Sequence, residues 1–236
     1  MQQERIKQIE RLEAEAPWFF TACISRETGS RGRTIGNVVA RKMGWTLYDQ
    51  ELLEYIARVE HARQEVFEQL PDAVQHWIQA WRDAILVDAV RDEEYIERLV
   101  QVVLSVAVAG KAVFVGRGAC FIVPRNRCVS VRVIGSRENR IAYLCQRERL
   151  SPEAAEQYIQ KTDQQRVEFV RHYFGRDPQD PHHYDLILDG GHLGEELCGE
   201  LIVRAIEGKQ LYQDDRARRP TRPSPVPEAE AEGSEG

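Results

Sequence analysis

Between an apolar run and an amphipathic helical pattern lies the segment Arg26-Glu27-Thr28-Gly29-Ser30-Arg31-Gly32-Arg33-Thr34. A buried strand, a glycine-containing turn and a helix start, in that order, bring successive backbone N–H groups and the positive end of a helix dipole to one point. That arrangement binds phosphate. Gly29 and Gly32 let the chain approach an anion closely, and Ser30, Arg31, Arg33 and Thr34 complete the candidate cradle. A Walker A loop reads G-x-x-x-x-G-K-[ST]. Here Arg26 stands at the first glycine, and Gly32 or Arg33 stands near the lysine. A tight strand-to-helix turn carrying solvent-facing arginines has the same composition, so the loop by itself leaves both readings open.

The elements around this loop follow from periodicity. WFFTACIS at 18–25 reads as a buried strand, 35–43 as a helix closed by Gly44, and WTLYD at 45–49 as a second strand ending on Asp49. Residues 50–109 are mostly helical. Strands are expected at 112–115, before Gly116-Arg117-Gly118, at 129–135 and at 184–189. Helices begin at Ser136 and Ser151, and a last helix runs over about 193–207. Strands separated by helices imply a parallel sheet covered on both faces, with ligands at the carboxyl ends of the strands. Residues 1–16 place Ile6, Ile9 and Leu12 on one helical stripe, which would dock on the body or on a second copy of the chain as a homo-oligomer contact. The proline-rich segment 213–236 has no hydrophobic period and reads as a disordered tail.

Composition bounds the class. The chain has 236 residues and a formal charge of -6, which argues against a protein that coats nucleic acid or an anionic membrane. Its 32 basic residues include only five lysines, at 7, 42, 111, 161 and 209. Base-composition bias can produce such a ratio, and so can selection for planar, bidentate phosphate contacts. The five cysteines lack Cys-x-x-Cys spacing and read as small buried hydrophobes in a reducing cytoplasm. No export signal or membrane span is expected.

In order, SRETGSRGRTIG, LYDQELL, VFVGRGACFIVP, VRVIGSRENRIAYL, KTDQQRVEFVRHYFGRD and YDLILDGGHLG resemble the cytidylate kinase-like family of P-loop proteins, from about Phe19 to Ile206. The resemblance implies an α/β, P-loop NTPase-type three-layer fold with a five-stranded parallel sheet. It implies a kinase-like domain over 17–212, with a helical acceptor-binding insert at about 50–109 and a lid at about 151–183. The implied activity is transfer of the ATP γ-phosphoryl group to CMP or dCMP with Mg2+. In that frame Arg33 would contact the β- and γ-phosphates, the Gly29–Gly32 backbone would cradle them, and Thr34 would be a magnesium ligand. Asp49, Arg117 and Asp163 would meet the acceptor, Asp163 at the cytosine, and Arg166 and Arg171 would act on the transferring phosphate.

The chain departs from the family pattern at four places. The loop lysine is absent and Arg31 stands where glycine is frequent. Gly118 replaces the aspartate of a Gly-Arg-Asp motif. The family's first lid arginine would fall near Ile159, where this chain has only Lys161 close by. Asp189-Gly190-Gly191 stands for Asn-Thr-Ser. Two other functions are compatible with these residues: a nucleotide-binding regulatory module of the same fold with little or no transfer, and a phosphotransferase for another small acceptor. Arg26, Arg31, Arg33, Arg117, Arg166 and Arg171 are expected to converge at one end of the sheet.

Overall fold

A computed structural model describes residues 2–86, 90 and 93–218. The chain begins with helix α1 (Gln2–Ala14), strand β1 (Thr21–Arg26), helix α2 (Gly32–Met43) and strand β2 (Thr46–Asp49). Four helices follow: α3 (Gln50–Arg58), α4 (Glu60–Glu68), α5 (Asp72–Ile85) and α6 (Glu94–Ala109). Then come β3 (Ala112–Val115), the single turn α7 (Ala119–Ile122), β4 (Cys128–Ile134), α8 (Arg137–Glu148) and α9 (Pro152–Phe174). The described part ends with β5 (Leu186–Asp189), α10 (Gly190–Leu193) and α11 (Glu195–Arg218).

All strand pairs are parallel, in the order β2-β3-β1-β4-β5, which is the expected five-stranded sheet. β1 is central: Ile24 lies beside Val115 on one side and Val131 on the other. A strand covered on both faces needs apolar residues at every position. Ala22, Cys23, Ile24, Val113, Phe114, Val115, Val129, Val131 and Val133 are accordingly fully buried. One layer packs α2 and α11 on the sheet through Ile35, Val39, Cys198, Ile202 and Ile206. The other packs α5, α6 and α7 through Trp81, Leu99, Val103 and Ile122. Each such side chain contributes about 1.5–3 kcal/mol.

The strand read from Trp18 begins at Thr21. Trp18 is exposed and lies against the Arg127 guanidinium, 5.2 Å from ring centroid to Cζ. The amphipathic N-terminal helix docks on the body. Leu12 is buried, its carbonyl accepts from Trp77 Nε1 at 2.9 Å, and Arg5 Nε donates to the Ala84 carbonyl at 2.9 Å. The last helix outruns its expected end and continues to Arg218, so residues 213–218 of the expected tail are helical. The remainder of that tail, 219–236, lies outside the described residues. Among the described residues no helix is long and apolar enough to cross a membrane.

Candidate functional site

The carboxyl ends of β1 and β3 open onto two adjoining cavities. The larger, about 800 Å3, lies over the loop and the start of α2 and reaches Tyr143 and Arg147 on α8 and Tyr158 and Lys161 on α9. The smaller, about 200 Å3, lies between Ser25, Gly116-Arg117-Gly118, Phe121 and the α9 residues Asp163, Arg166 and Phe169. Arg26, Glu27, Gln50, Thr162, Gln165 and Arg166 line both.

The loop conformation follows from its residues. Gly29 has φ 80°, and a Cβ there would come within 2.7 Å of the Arg140 carbonyl oxygen, so only glycine fits. Arg31, at φ 70°, is the left-handed residue that starts α2. The N–H groups of residues 31–34 precede the first intrahelical bond, Ile35 N–H to the Arg31 carbonyl, and are therefore available to a ligand. Gly29, Arg31, Gly32, Arg33 and Thr34 line the larger cavity. Ser30 does not: its hydroxyl is buried and donates to the Glu27 and Val133 carbonyls at 2.9 and 3.1 Å, which braces the loop from beneath.

The candidate cations have distinct partners. Arg33 Nη2 lies 2.7 Å from Asp49 Oδ2, and the arginine is more than half exposed. Asp49 also caps α3 by accepting from Leu52 N–H at 3.0 Å. Thr34 Oγ1 shares a hydrogen bond with the Tyr143 hydroxyl at 3.1 Å, and the Arg31 guanidinium lies 4.8 Å from the centre of the Tyr143 ring. Arg117, at φ 48°, pairs with Glu54 of α3 and lies 5.5 Å from the centre of the Phe169 ring. Arg166 Nη1 donates to Thr28 Oγ1 at 2.8 Å and to the Arg26 carbonyl at 3.3 Å. The Nε–H groups of Arg117 and Arg166 are buried with no hydrogen-bond partner among the described residues. Burial pushes both guanidiniums below their usual range, and each is a like-charged neighbour of the other cations here.

Asp163 faces the loop. Its Oδ1 accepts from Thr28 N–H and Thr28 Oγ1, both at 2.7 Å, its Oδ2 pairs with Arg140, and Arg166 lies 3.5 Å away. It thus latches α9 to the loop and orients Arg166. Arg171 is the exception to the expected convergence. It lines neither cavity, is mostly exposed and sits 3.2 Å from Asp177, because its helical position turns it away from the sheet end.

Several contributors were not singled out from sequence. Arg132 is buried in β4, 3.8 Å from Glu27 and 3.2 Å from Ser25 Oγ. An arginine interrupting VSVRVIG was the available signal. Arg140 donates to the Thr28 carbonyl at 2.7 Å, and Tyr143 and Glu54 contact predicted residues. Their helical segments carry charge on every side, so pattern alone could not select them.

A family model described as the cytidylate kinase-like family matches residues 22–192. Curated protein sequences give no significant match. Among solved structures, an uncharacterized protein from Eubacterium ventriosum is 20% identical with a TM-score of 0.57, the match covering 81% of this chain and 99% of that one. At that identity the likeness is one of fold. A gluconokinase from Sinorhizobium meliloti matches at 14% identity and TM-score 0.40, over 85% of this chain and 97% of that one. A shikimate kinase from Bacteroides thetaiotaomicron matches at 14% and 0.38, over 82% and 98%.

Proposed function

The chain belongs to the cytidylate kinase-like family, and on that premise we propose that it transfers the γ-phosphoryl group of MgATP to a nucleoside monophosphate, CMP or dCMP first among them. The observation that supports this is the wall shared by the two cavities. A donor triphosphate on the loop and an acceptor phosphate beside Arg117 would meet at Arg166, which lines both. An acceptor phosphate oxygen would attack the γ-phosphorus as the bond to the bridging oxygen of the departing ADP breaks. That oxygen keeps the electron pair, and an acceptor dianion has no proton to lose. Positioning and charge neutralisation are the whole task.

In this reading residues 50–109 form the acceptor side and 151–183 a lid held down by Asp163. Magnesium would arrive as part of the substrate, held chiefly by phosphate oxygens. The donor set suits that role: the Thr34 hydroxyl faces the larger cavity, and Asp49 and Glu51 line it. Among the described residues no three His, Cys, Asp or Glu side chains cluster as a separate metal site. A cytoplasmic setting and contact between copies through α1 belong to the same proposal.

The second reading, a nucleotide-binding module with little or no transfer, is favoured by one contact, the engagement of Arg33 by Asp49. Purified protein incubated with MgATP and a panel of nucleoside monophosphates separates the two. Diphosphate formation selective for CMP or dCMP, reduced about a hundredfold or more in Arg166→Ala, is the expected result. ATP binding without turnover of any acceptor would leave the module.

A further inference from the structure

The loop departs from the phosphate-binding pattern in a reciprocal way. In G-x-x-x-x-G-K the lysine follows the first glycine by six places. Here the first-glycine position holds Arg26, and six places on stands Gly32. Cation and glycine have changed places, and the geometry gives the exchange a physical meaning. A Cβ on Gly32 would lie 2.6 Å from Arg26 Cβ and 2.9 Å from its Cγ, so the Arg26 stem runs over Gly32, where a side chain at 32 would begin. A Cβ on Gly116, beyond β3, would collide with the Arg26 guanidinium itself. Two glycines from separate elements therefore make room for one arginine.

What surrounds the guanidinium points to an anionic ligand. Arg26 lines both cavities. No ion pair engages it among the described residues, and Asp49, the carboxylate that offsets its charge from a distance, is taken by Arg33. Burial, Arg166 and Arg117 push its pKa down to about 9, which leaves it a cation at neutral pH. A partly desolvated cation without a counter-ion costs folding free energy, and a bound anion removes that cost.

We propose that Arg26 supplies the phosphate-binding cation that the lysine supplies in the standard loop, its guanidinium contacting the donor phosphates where the two cavities join. The assignment rests on the phosphotransfer reading and moves the role from Arg33, which Asp49 already holds.

The test exchanges the residues back. Arg26→Gly, Gly32→Lys, the double variant and Arg26→Met are compared with the wild-type protein for kcat on its best acceptor and for MgATP affinity by calorimetric titration. Arg26→Gly should lose about a hundredfold in kcat and about tenfold or more in MgATP affinity. Gly32→Lys alone should do no better, since its Cβ meets the Arg26 stem, whereas the double variant should regain about tenfold over Arg26→Gly. Arg26→Met keeps the packed stem without the charge, so it should melt higher than wild type without ligand and lose most of the MgATP-induced rise. The assignment fails if Arg26→Gly or Arg26→Met keeps kcat and MgATP affinity within about threefold of wild type. It fails equally if the double variant melts cooperatively near the wild-type temperature and is no better than Arg26→Gly. Should wild type bind MgATP and phosphorylate no acceptor, the kinase reading falls, and the affinity series still decides the role of Arg26.

Discussion

Asp163 illustrates how one carboxylate can join a helix to a loop while also lining a cavity. Thr28 presents it an N–H and a hydroxyl, while Arg140 and Arg166 present charge. The resemblance assigned Asp163 to the acceptor base; its bonds tie it to Thr28 of the loop after β1, and we propose that it acts chiefly as a latch there. Asp163→Ala should therefore raise the KM for MgATP by about tenfold more than the KM for the acceptor. It should also lower stability by about 1–3 kcal/mol in urea denaturation, the cost of leaving its donors unpaired. A larger effect on the acceptor KM than on the MgATP KM would argue for the base contact instead. The glycine-containing turn from β1 into α2, with the arginines on it, was legible because such a turn is local in sequence. The burial of Ser30 and the seating of the Arg26 guanidinium on Gly116 were not, since both depend on strands far along the chain.

The elements were read nearly in place because apolar strands and capped helices are written in neighbouring residues. Ser136 and Ser151 accept from N–H groups three residues on, and Gly44 closes α2 at φ 64°. The edge strand β5 needs more than its own apolar pattern, and Asp185 supplies it. Its carboxylate accepts from Ser130 N–H at 2.9 Å, Arg125 at 2.9 Å and Lys209 at 2.7 Å, joining β4, the turn before it and α11. Burial pushes this carboxyl up, but Lys209, the Ser130 N–H and Arg125 outweigh it and hold it below the usual range. The unfolded chain then takes up its proton at a higher pH than the folded one. The stabilisation is complete above the ordinary carboxylate pKa, about 4, and is lost as pH falls through the lower folded value. Asp185→Asn should cost about 1–2 kcal/mol at pH 7, with the difference from wild type shrinking below about pH 4. A pH-independent difference in circular-dichroism melts would mean that packing, not charge, is lost.

Across the whole molecule, an acidic chain holds a cluster of mutually repelling cations at one end of its sheet. Burial first, and then Arg166 and Arg117, lower the proton affinity of Arg26, and Arg166 adds to burial in lowering that of Arg117, so the cluster carries an electrostatic cost that a bound anion would relieve. MgATP at a hundred times its Kd should add about 2.7 kcal/mol to stability, a rise in melting temperature of roughly 5–10 °C for a chain of this size. Scanning calorimetry would read it directly. No shift at saturating MgATP would count against both nucleotide readings.

The succession of strands along the chain, the helix that each strand feeds and the loop that stands between the first such pair were determined by the sequence alone. Apolar period, glycines and caps act between residues a few places apart. Which arginines meet was decided only by the tertiary structure. A guanidinium's environment is set by distant segments, and parallel crossovers brought Gly116, Arg132 and Arg166 to the end of β1 while leaving Arg171 on the surface beside Asp177.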